Sequence, residues 1–228
     1  MGPLDELKRA AAEVAVGLVE NGMIVGLGTG STAKHAVDAI GKRVKEGLRI
    51  VGIPTSEATA RQARGVGIEI SSLGEHPEID LTIDGADEIQ RGTLDLIKGQ
   101  GGALLREKVV ASASKKLAII ADETKLVDQL GVHFALPVEV VQFGWQATER
   151  KLRALGAQTK LRAGDEKPFV TDGGNFIIDC RFSPIHDPAE LDRALNSIVG
   201  VVEHGLFLKM AARAIVATKD GIQVLLPK

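Results

Sequence analysis

The sequence predicts an α/β protein. A doubly wound, mostly parallel sheet of the Rossmann-like kind carries a smaller inserted α+β domain of the ferredoxin-like kind. Three observations predict it. Short apolar strands alternate with helical repeats from Met23 to Ala121. Glycine-containing turns lead from several of those strands into the next helix. Beyond residue 130 the order becomes β-α-β-β-α-β, the split motif of a ferredoxin-like module. With 228 residues, 44% of them hydrophobic, the chain is long enough to bury a core.

Leu4, Leu7, Ala11, Val14 and Leu18 recur at helical spacing, and Gly22 after Asn21 is expected to end that helix. Met23–Leu27 reads as a strand, and Ala33–Val44 as the helix after its turn. Arg49–Ile53 is the next strand, and Ser56 is expected to cap the helix carrying Ala58–Ala63. Ile68–Ile70, Leu81–Ile83 and Leu94–Ile97 are short strands, followed by a glycine loop and the helical run Ala103–Ala113. Leu117–Ala121 completes the alternation.

In the second unit, Pro137–Val141, Gln158–Arg162 and Asn175–Asp179 read as strands and Ala147–Leu155 as a helix. Asp187 caps a helix over Pro188–Ile198, and Val201–Phe207 closes the set. Ala214–Thr218 and Ile222–Leu226 flank Asp220-Gly221, a hairpin signal. The expected division is residues 1–130 with 206–228 in the larger domain and 131–205 in the inserted one.

Composition narrows the function classes. Twenty-eight basic and thirty acidic side chains leave a net charge of −2, and aromatics are 3%, which argues against nucleic acid as a partner. No apolar run approaches a membrane-spanning length, so no membrane partner is expected. Leu4–Glu20 is interrupted by charges and shows no secretory signal. The single Cys180 excludes an internal disulfide or a cysteine-based zinc site, and a cytoplasmic protein is expected.

Three segments carry chemistry. Gly28-Thr29-Gly30-Ser31-Thr32 lies between a strand and a helix, where unpaired backbone N–H groups and three hydroxyls form an anion cradle. No lysine follows Gly30, so it is not a nucleotide P-loop. Gly28, Gly30 and Ala33 also fit a dinucleotide fingerprint, but the next strand runs into Pro54-Thr55-Ser56 instead of ending in an acid. A hydroxyl-capped turn without a ligand is the third reading.

Asp84-Gly85-Ala86-Asp87-Glu88 follows an apolar strand and sets three acids at the ligand edge of the sheet. Metal binding, acid–base chemistry with hydroxyl recognition, and an acidic turn remain open there. Lys98-Gly99-Gln100-Gly101-Gly102 ends another strand, and Glu107 follows in the next helix. A lysine beside carboxylates polarises a carbonyl or binds an anion, and a glutamate near an apolar helix start can be tuned into a base. Alone, Glu107 between Arg106 and Lys108 reads equally as a solvated helix face. The three loops converge on one expected sheet edge, which describes a small-molecule active site that requires no cofactor.

These segments, with Thr55-Ser56, Ile120-Ala121-Asp122-Glu123-Thr124-Lys125 and Leu136-Pro137-Val138-Glu139-Val140, closely resemble ribose-5-phosphate isomerase, type A, over essentially the whole chain. One departure is Gln100, where the family usually has glycine. The resemblance implies aldose–ketose isomerisation of ribose 5-phosphate and ribulose 5-phosphate through an enediolate, in the non-oxidative pentose phosphate pathway, without metal or nucleotide. It implies Glu107 as the base, Lys98 as the stabiliser of enediolate oxygens, and Asp84 and Asp87 as hydroxyl ligands that assist ring opening. Thr29, Gly30, Ser31, Thr32, Gly85, Ala86, Gly99, Gln100, Gly101 and Lys125 would line the substrate site. A homodimer or homotetramer is implied.

A sugar-phosphate sensor and a nicotinamide-dependent oxidoreductase are the competing readings. The first leaves Glu107 unexplained, and the second rests on Gly28, Gly30 and Ala33. The five histidines show no ligand spacing. Cys180 and Trp145 are expected in packing, and Arg61, Arg64 and Arg162 as solvated charges.

Overall fold

The structure is a computed structural model that describes residues 2–164, 167–182 and 184–228. In chain order the elements are α1 (Pro3–Val16), β1 (Ile24–Leu27), α2 (Ser31–Lys45), β2 (Val51–Pro54), α3 (Glu57–Gly65), β3 (Glu69–Ile70), β4 (Leu81–Asp84), β5 (Glu88–Gln90), β6 (Leu96–Ile97), α4 (Leu104–Ser112), β7 (Leu117–Asp122) and β8 (Leu126–Val127). Then come β9 (Leu136–Val140), α5 (Trp145–Ala154), β10 (Gln158–Leu161), β11 (Phe176–Arg181), α6 (Pro188–Asn196), β12 (Val201–His204), β13 (Leu206–Phe207), β14 (Ala211–Thr218) and β15 (Gly221–Leu225).

Seven strands form the central sheet in the order β15-β14-β7-β4-β1-β2-β3, and all pairs are parallel except β14 with β15. The inner strands β1, β4 and β7 are buried on both faces, as a covered parallel sheet requires. Ala118 and Ile120 of β7 face a core shared with α1, α2 and α3. Leu117, Ile119 and Ala121 face the other way, against Ile89, Leu96, Phe207 and Ala111. That second face is therefore covered by α4 together with a short sheet, β13-β6-β5-β8. In the short sheet, β6 falls within the expected strand Leu94–Ile97 and β13 within Val201–Phe207, whereas β5 and β8, three and two residues long, carry no sequence signal.

Strands β9 to β12 form an antiparallel sheet in the order β10-β11-β9-β12, with α5 and α6 as crossovers. Its core holds Val138, Val140, Leu152, Ile178, Cys180 and Leu195, with Trp145 packed against it. Asp187 caps α6 by accepting from the Glu190 N–H at 2.9 Å, and Ser56 caps α3 through Thr59 at 3.0 Å.

Two expectations are corrected. Helix α1 ends at Val16 with Gly17 as its cap, because the chain turns there to bury Val19; Gly22, at φ 84°, serves the later turn into β1. The run Val201–Phe207 is two strands in two sheets, separated at Gly205. A Cβ at 205 would collide with the Lys98 carbonyl oxygen, which packs against this bare backbone.

Candidate active site

Two loops leave adjacent parallel strands: residues 28–31 run from β1 into α2, and Gly85–Asp87 follow β4. The third loop, Lys98–Gly102, leaves β6 of the short sheet, which corrects the expectation of a single sheet edge. Lys98 is brought in by long-range pairing, its N–H donating to Gly205 O at 2.9 Å. Helix α4 contributes Glu107 from its first turn, and a single 3₁₀ turn, Glu123–Lys125, contributes Lys125. Thr29, Gly30, Ser31, Thr32, Gly85, Ala86, Asp87, Lys98, Gly99, Gly101, Glu107 and Lys125 line one cleft.

Asp84 stands behind that lining, 1% exposed. Gly28 makes its placement possible, since a Cβ there would collide with the Asp84 carboxylate. Asp84 Oδ1 accepts from the N–H groups of Thr29 at 3.1 Å and Gly85 at 2.7 Å. Its Oδ2 lies 3.1 Å from Lys98 Nζ. The same ammonium donates to Glu107 Oε1 at 3.0 Å and to the Gly85 carbonyl, so its three N–H bonds all have acceptors.

One buried cation thus serves two buried carboxylates. Burial pushes Glu107 up to about 8, against the pull of Lys98, and the charges of Asp84 and Asp87 push it the same way. Burial works against the charge on Lys98, but Asp84 and Glu107 outweigh it and raise its pKa. The proton therefore stays on Lys98, and Glu107 is the group poised to exchange one near neutral pH. Asp87 is also raised by burial, while its Oδ2 accepts from the Gln100 N–H at 3.0 Å.

The other end of the cleft is built for an anion. Helix α2 begins at Ser31 with no side-chain cap and no acid in its first turn, so its first N–H groups and its dipole face outward. Lys125 also lines the cleft, its ammonium 4.8 Å from the Phe134 ring centroid.

The sequence reading counts the Thr29 hydroxyl among the anion donors, and the structure corrects this. Thr29 Oγ1 lies 2.7, 2.9 and 3.1 Å from the hydroxyls of Thr55, Ser56 and Thr59. That knot pins the loop and leaves Ser31, Thr32 and the backbone to meet a ligand. Gln100 turns its amide out to Ala135 O at 3.0 Å. Glu88 lies outside the cleft: its carboxylate accepts from the N–H groups of Gly131, His133 and Phe134 at 2.6 to 2.9 Å.

Sequence reading missed two cations. Lys8 of α1 donates to Ser31 Oγ at 3.1 Å, beside the helix start. Its neighbours Asp5, Glu6 and Arg9 make it look like any charge on a solvated face, so no local pattern marks it. Arg162 is not a solvated charge: its side chain is 13% exposed, paired with Asp179, and donates to the Gly99 and Gln100 carbonyls.

Residues 51–221 match the family model of ribose 5-phosphate isomerase A (phosphoriboisomerase A). A ribose-5-phosphate isomerase A from Gloeobacter violaceus is 62% identical over 98% of this chain and 97% of its own length. Among solved structures, a D-ribose-5-phosphate isomerase in complex with phospho-erythronic acid superposes with a TM-score of 0.95 at 39% identity, over 99% of this chain and 100% of that one. The ribose 5-phosphate isomerase of Plasmodium falciparum superposes with a TM-score of 0.94 at 40% identity, again over 99% and 100%.

Proposed function

The chain belongs to the ribose 5-phosphate isomerase A family, and on that premise we propose how its cleft interconverts ribose 5-phosphate and ribulose 5-phosphate, with Glu107 as the base. The activity, aldose–ketose isomerisation within the pentose phosphate pathway, follows from the family. The roles of individual residues are our reading. The observation that carries it is the buried Lys98–Glu107 contact at 3.0 Å in a cleft that ends in an uncapped helix start.

The phosphate of the sugar lies at the start of α2, against Ser31, Thr32 and the backbone, with Lys8 and Lys125 supplying positive charge. Binding there holds the reacting carbons over Glu107 and supplies orientation from a part of the substrate that does not react. Opening the sugar ring needs a base for the anomeric hydroxyl. This falls to the acidic pair, Asp87 facing the cleft and Asp84 joined to Lys98 behind it.

Ionised Glu107 then takes the proton from C2 of the open aldose, the hydroxyl proton on O2 passes to O1 in the enediolate, and Glu107 returns its proton to C1, which leaves the carbonyl at C2. Lys98 couples the two events. When Glu107 becomes neutral its hold on the ammonium weakens, and an N–H is released as negative charge grows on the substrate oxygens. A relative whose structure contains phospho-erythronic acid supports a phosphorylated sugar chain as the ligand class.

We also infer that residues 131–205 form an inserted domain on a larger one made of 1–130 and 206–228, an inference supported by the β-α-β-β-α-β order of β9 to β12. A homodimer or homotetramer is proposed, supported by Phe143 and Val199, which are 94% and 82% exposed. A cytoplasmic location is proposed from the metabolic substrate and the lone, buried Cys180 thiol. Among the described residues, no helix is long and apolar enough to cross a membrane.

The test is isomerase activity on ribose 5-phosphate, with chelator and without nucleotide, for the wild type and Glu107→Gln. The expected result is turnover by the wild type and a loss of about 10³-fold or more in the variant with substrate binding retained. A variant with wild-type turnover would remove Glu107 from the role of base.

A further inference from the structure

Among the described residues, no side chain of the antiparallel β9–β12 unit lines the cleft. One nevertheless reaches its wall. Arg162 lies just beyond β10, and its own N–H donates to Ile177 O at 2.8 Å, which fixes its backbone to β11. Its Nε donates to Asp179 Oδ2 at 3.0 Å, and one terminal nitrogen pairs with Asp179 Oδ1. The other terminal nitrogen donates to Gly99 O at 2.8 Å and Gln100 O at 3.1 Å.

The guanidinium therefore joins a carboxylate on one side to two adjacent carbonyls of the glycine loop on the other. A planar fork with five donors can do this, and a single ammonium cannot. At 13% side-chain exposure these are charge-assisted bonds largely withdrawn from water.

The same segment holds the far end of the loop. The Phe169 N–H donates to Arg162 O at 2.9 Å, and the Phe169 ring covers the guanidinium, 6.0 Å from Cζ to centroid. That ring also packs against Gly102 so closely that a Cβ at 102 would collide with it. Held at both ends, the loop presents the Gln100 N–H to Asp87 Oδ2 at 3.0 Å. Asp87 is faced by Lys98, Lys125 and Arg162, by the Gln100 N–H, and by the Glu107 carboxylate.

We infer that Arg162 is a positioning residue for the isomerisation: from the antiparallel unit it sets the Lys98–Gly102 loop, and through Gln100 it orients the Asp87 carboxylate in the cleft. The inference rests on the isomerase reading of that cleft. Its contribution is geometric, so it acts on turnover more than on substrate affinity. Displacing a catalytic group by about 1 Å can lower the rate about 100-fold.

The experiment compares the wild type, Glu107→Gln, Arg162→Ala, Arg162→Lys, Asp179→Asn, Asp87→Asn and the Arg162→Ala/Asp87→Asn double variant, all full-length. Arg162→Ala is expected to lose about 10- to 100-fold in kcat with KM little changed. Arg162→Lys should stay impaired despite its charge. Millimolar guanidinium chloride, at concentrations that leave the wild-type rate and Tm unchanged, should restore part of the Arg162→Ala rate. The double variant should lose scarcely more than Asp87→Asn alone, since both changes break one chain of contacts.

Wild-type kcat and KM in folded Arg162→Ala would overturn the inference, and so would full additivity with Asp87→Asn. If Arg162→Ala does not fold, Arg162→Lys and Asp179→Asn decide: loss of kcat in both supports it, and wild-type kcat in both overturns it. A wild type inert on ribose 5-phosphate would overturn the reading of the cleft and this inference with it. An active wild type, an inactive Glu107→Gln and unaffected Arg162 variants would overturn the inference alone.

Discussion

Lys98 and Glu107 are nine residues apart in the chain and 3.0 Å apart in space, and each is less than 5% exposed. The contact joins the end of a two-residue strand to the first turn of a helix, across a loop whose glycines let the chain reverse. Asp84, at 3.1 Å from the same ammonium, makes the group a triad with one positive and two negative members. Burial, reinforced by the negative charges of Asp84 and Asp87 and opposed by Lys98, is what turns an ordinary helical glutamate into a base that works near neutral pH.

The first consequence is a pH dependence. Glu107 sits above its ordinary value of 4.5, at about 8, so below that pH it is mostly protonated and cannot accept a proton. kcat/KM should therefore rise with pH along a limb placed well above the carboxylate range. Asp84→Asn removes a neighbouring negative charge that helps raise Glu107, so it should move this limb to lower pH. Rate profiles of both proteins measure the shift, and an unmoved or upward-moved limb would contradict the triad.

Lys98→Met should lower kcat by about 10² to 10³-fold, the usual effect of removing a donor aimed at a developing oxyanion. It also leaves two buried carboxylates without a cation. Proton uptake on folding should rise accordingly, readable as a steeper loss of Tm with increasing pH than in the wild type.

Glu88 offers a contrasting acid. Its carboxylate accepts three backbone N–H bonds from residues 131–134 and touches no cleft residue by side chain. Glu88→Ala strands three donors, and the loss of stability in urea unfolding should be about 3 kcal/mol or more. The fraction that remains folded should keep its pH profile, in contrast to any change at Asp84.

Phospho-erythronic acid, found in the structure of a relative, should inhibit this enzyme competitively against ribose 5-phosphate. Lys8→Ala, which removes positive charge beside Ser31, should weaken that inhibition and raise KM, while kcat changes less. Noncompetitive inhibition would place the compound outside the cleft.

Some of this was legible from the chain alone. The alternation of strands and helices, the Ser56 and Asp187 caps, the β-α-β-β-α-β order and the three loops with Lys98, Asp84 and Glu107 are all local signals. Periodicity, capping and glycine turns express contacts within a few residues, and such contacts are written in neighbouring letters. Tertiary structure decided the rest. It routed the third loop in from the short sheet through Gly205, and it turned Thr29 away into a knot of hydroxyls. It made Glu88 a loop anchor, and it carried Arg162 from the antiparallel unit to the wall of the cleft. Each of these depends on where a side chain points and what it meets across a long stretch of sequence. No local pattern specifies that, because a charged residue on a strand end or helix face has the same neighbours in the chain whether water or a second carboxylate awaits it in the fold.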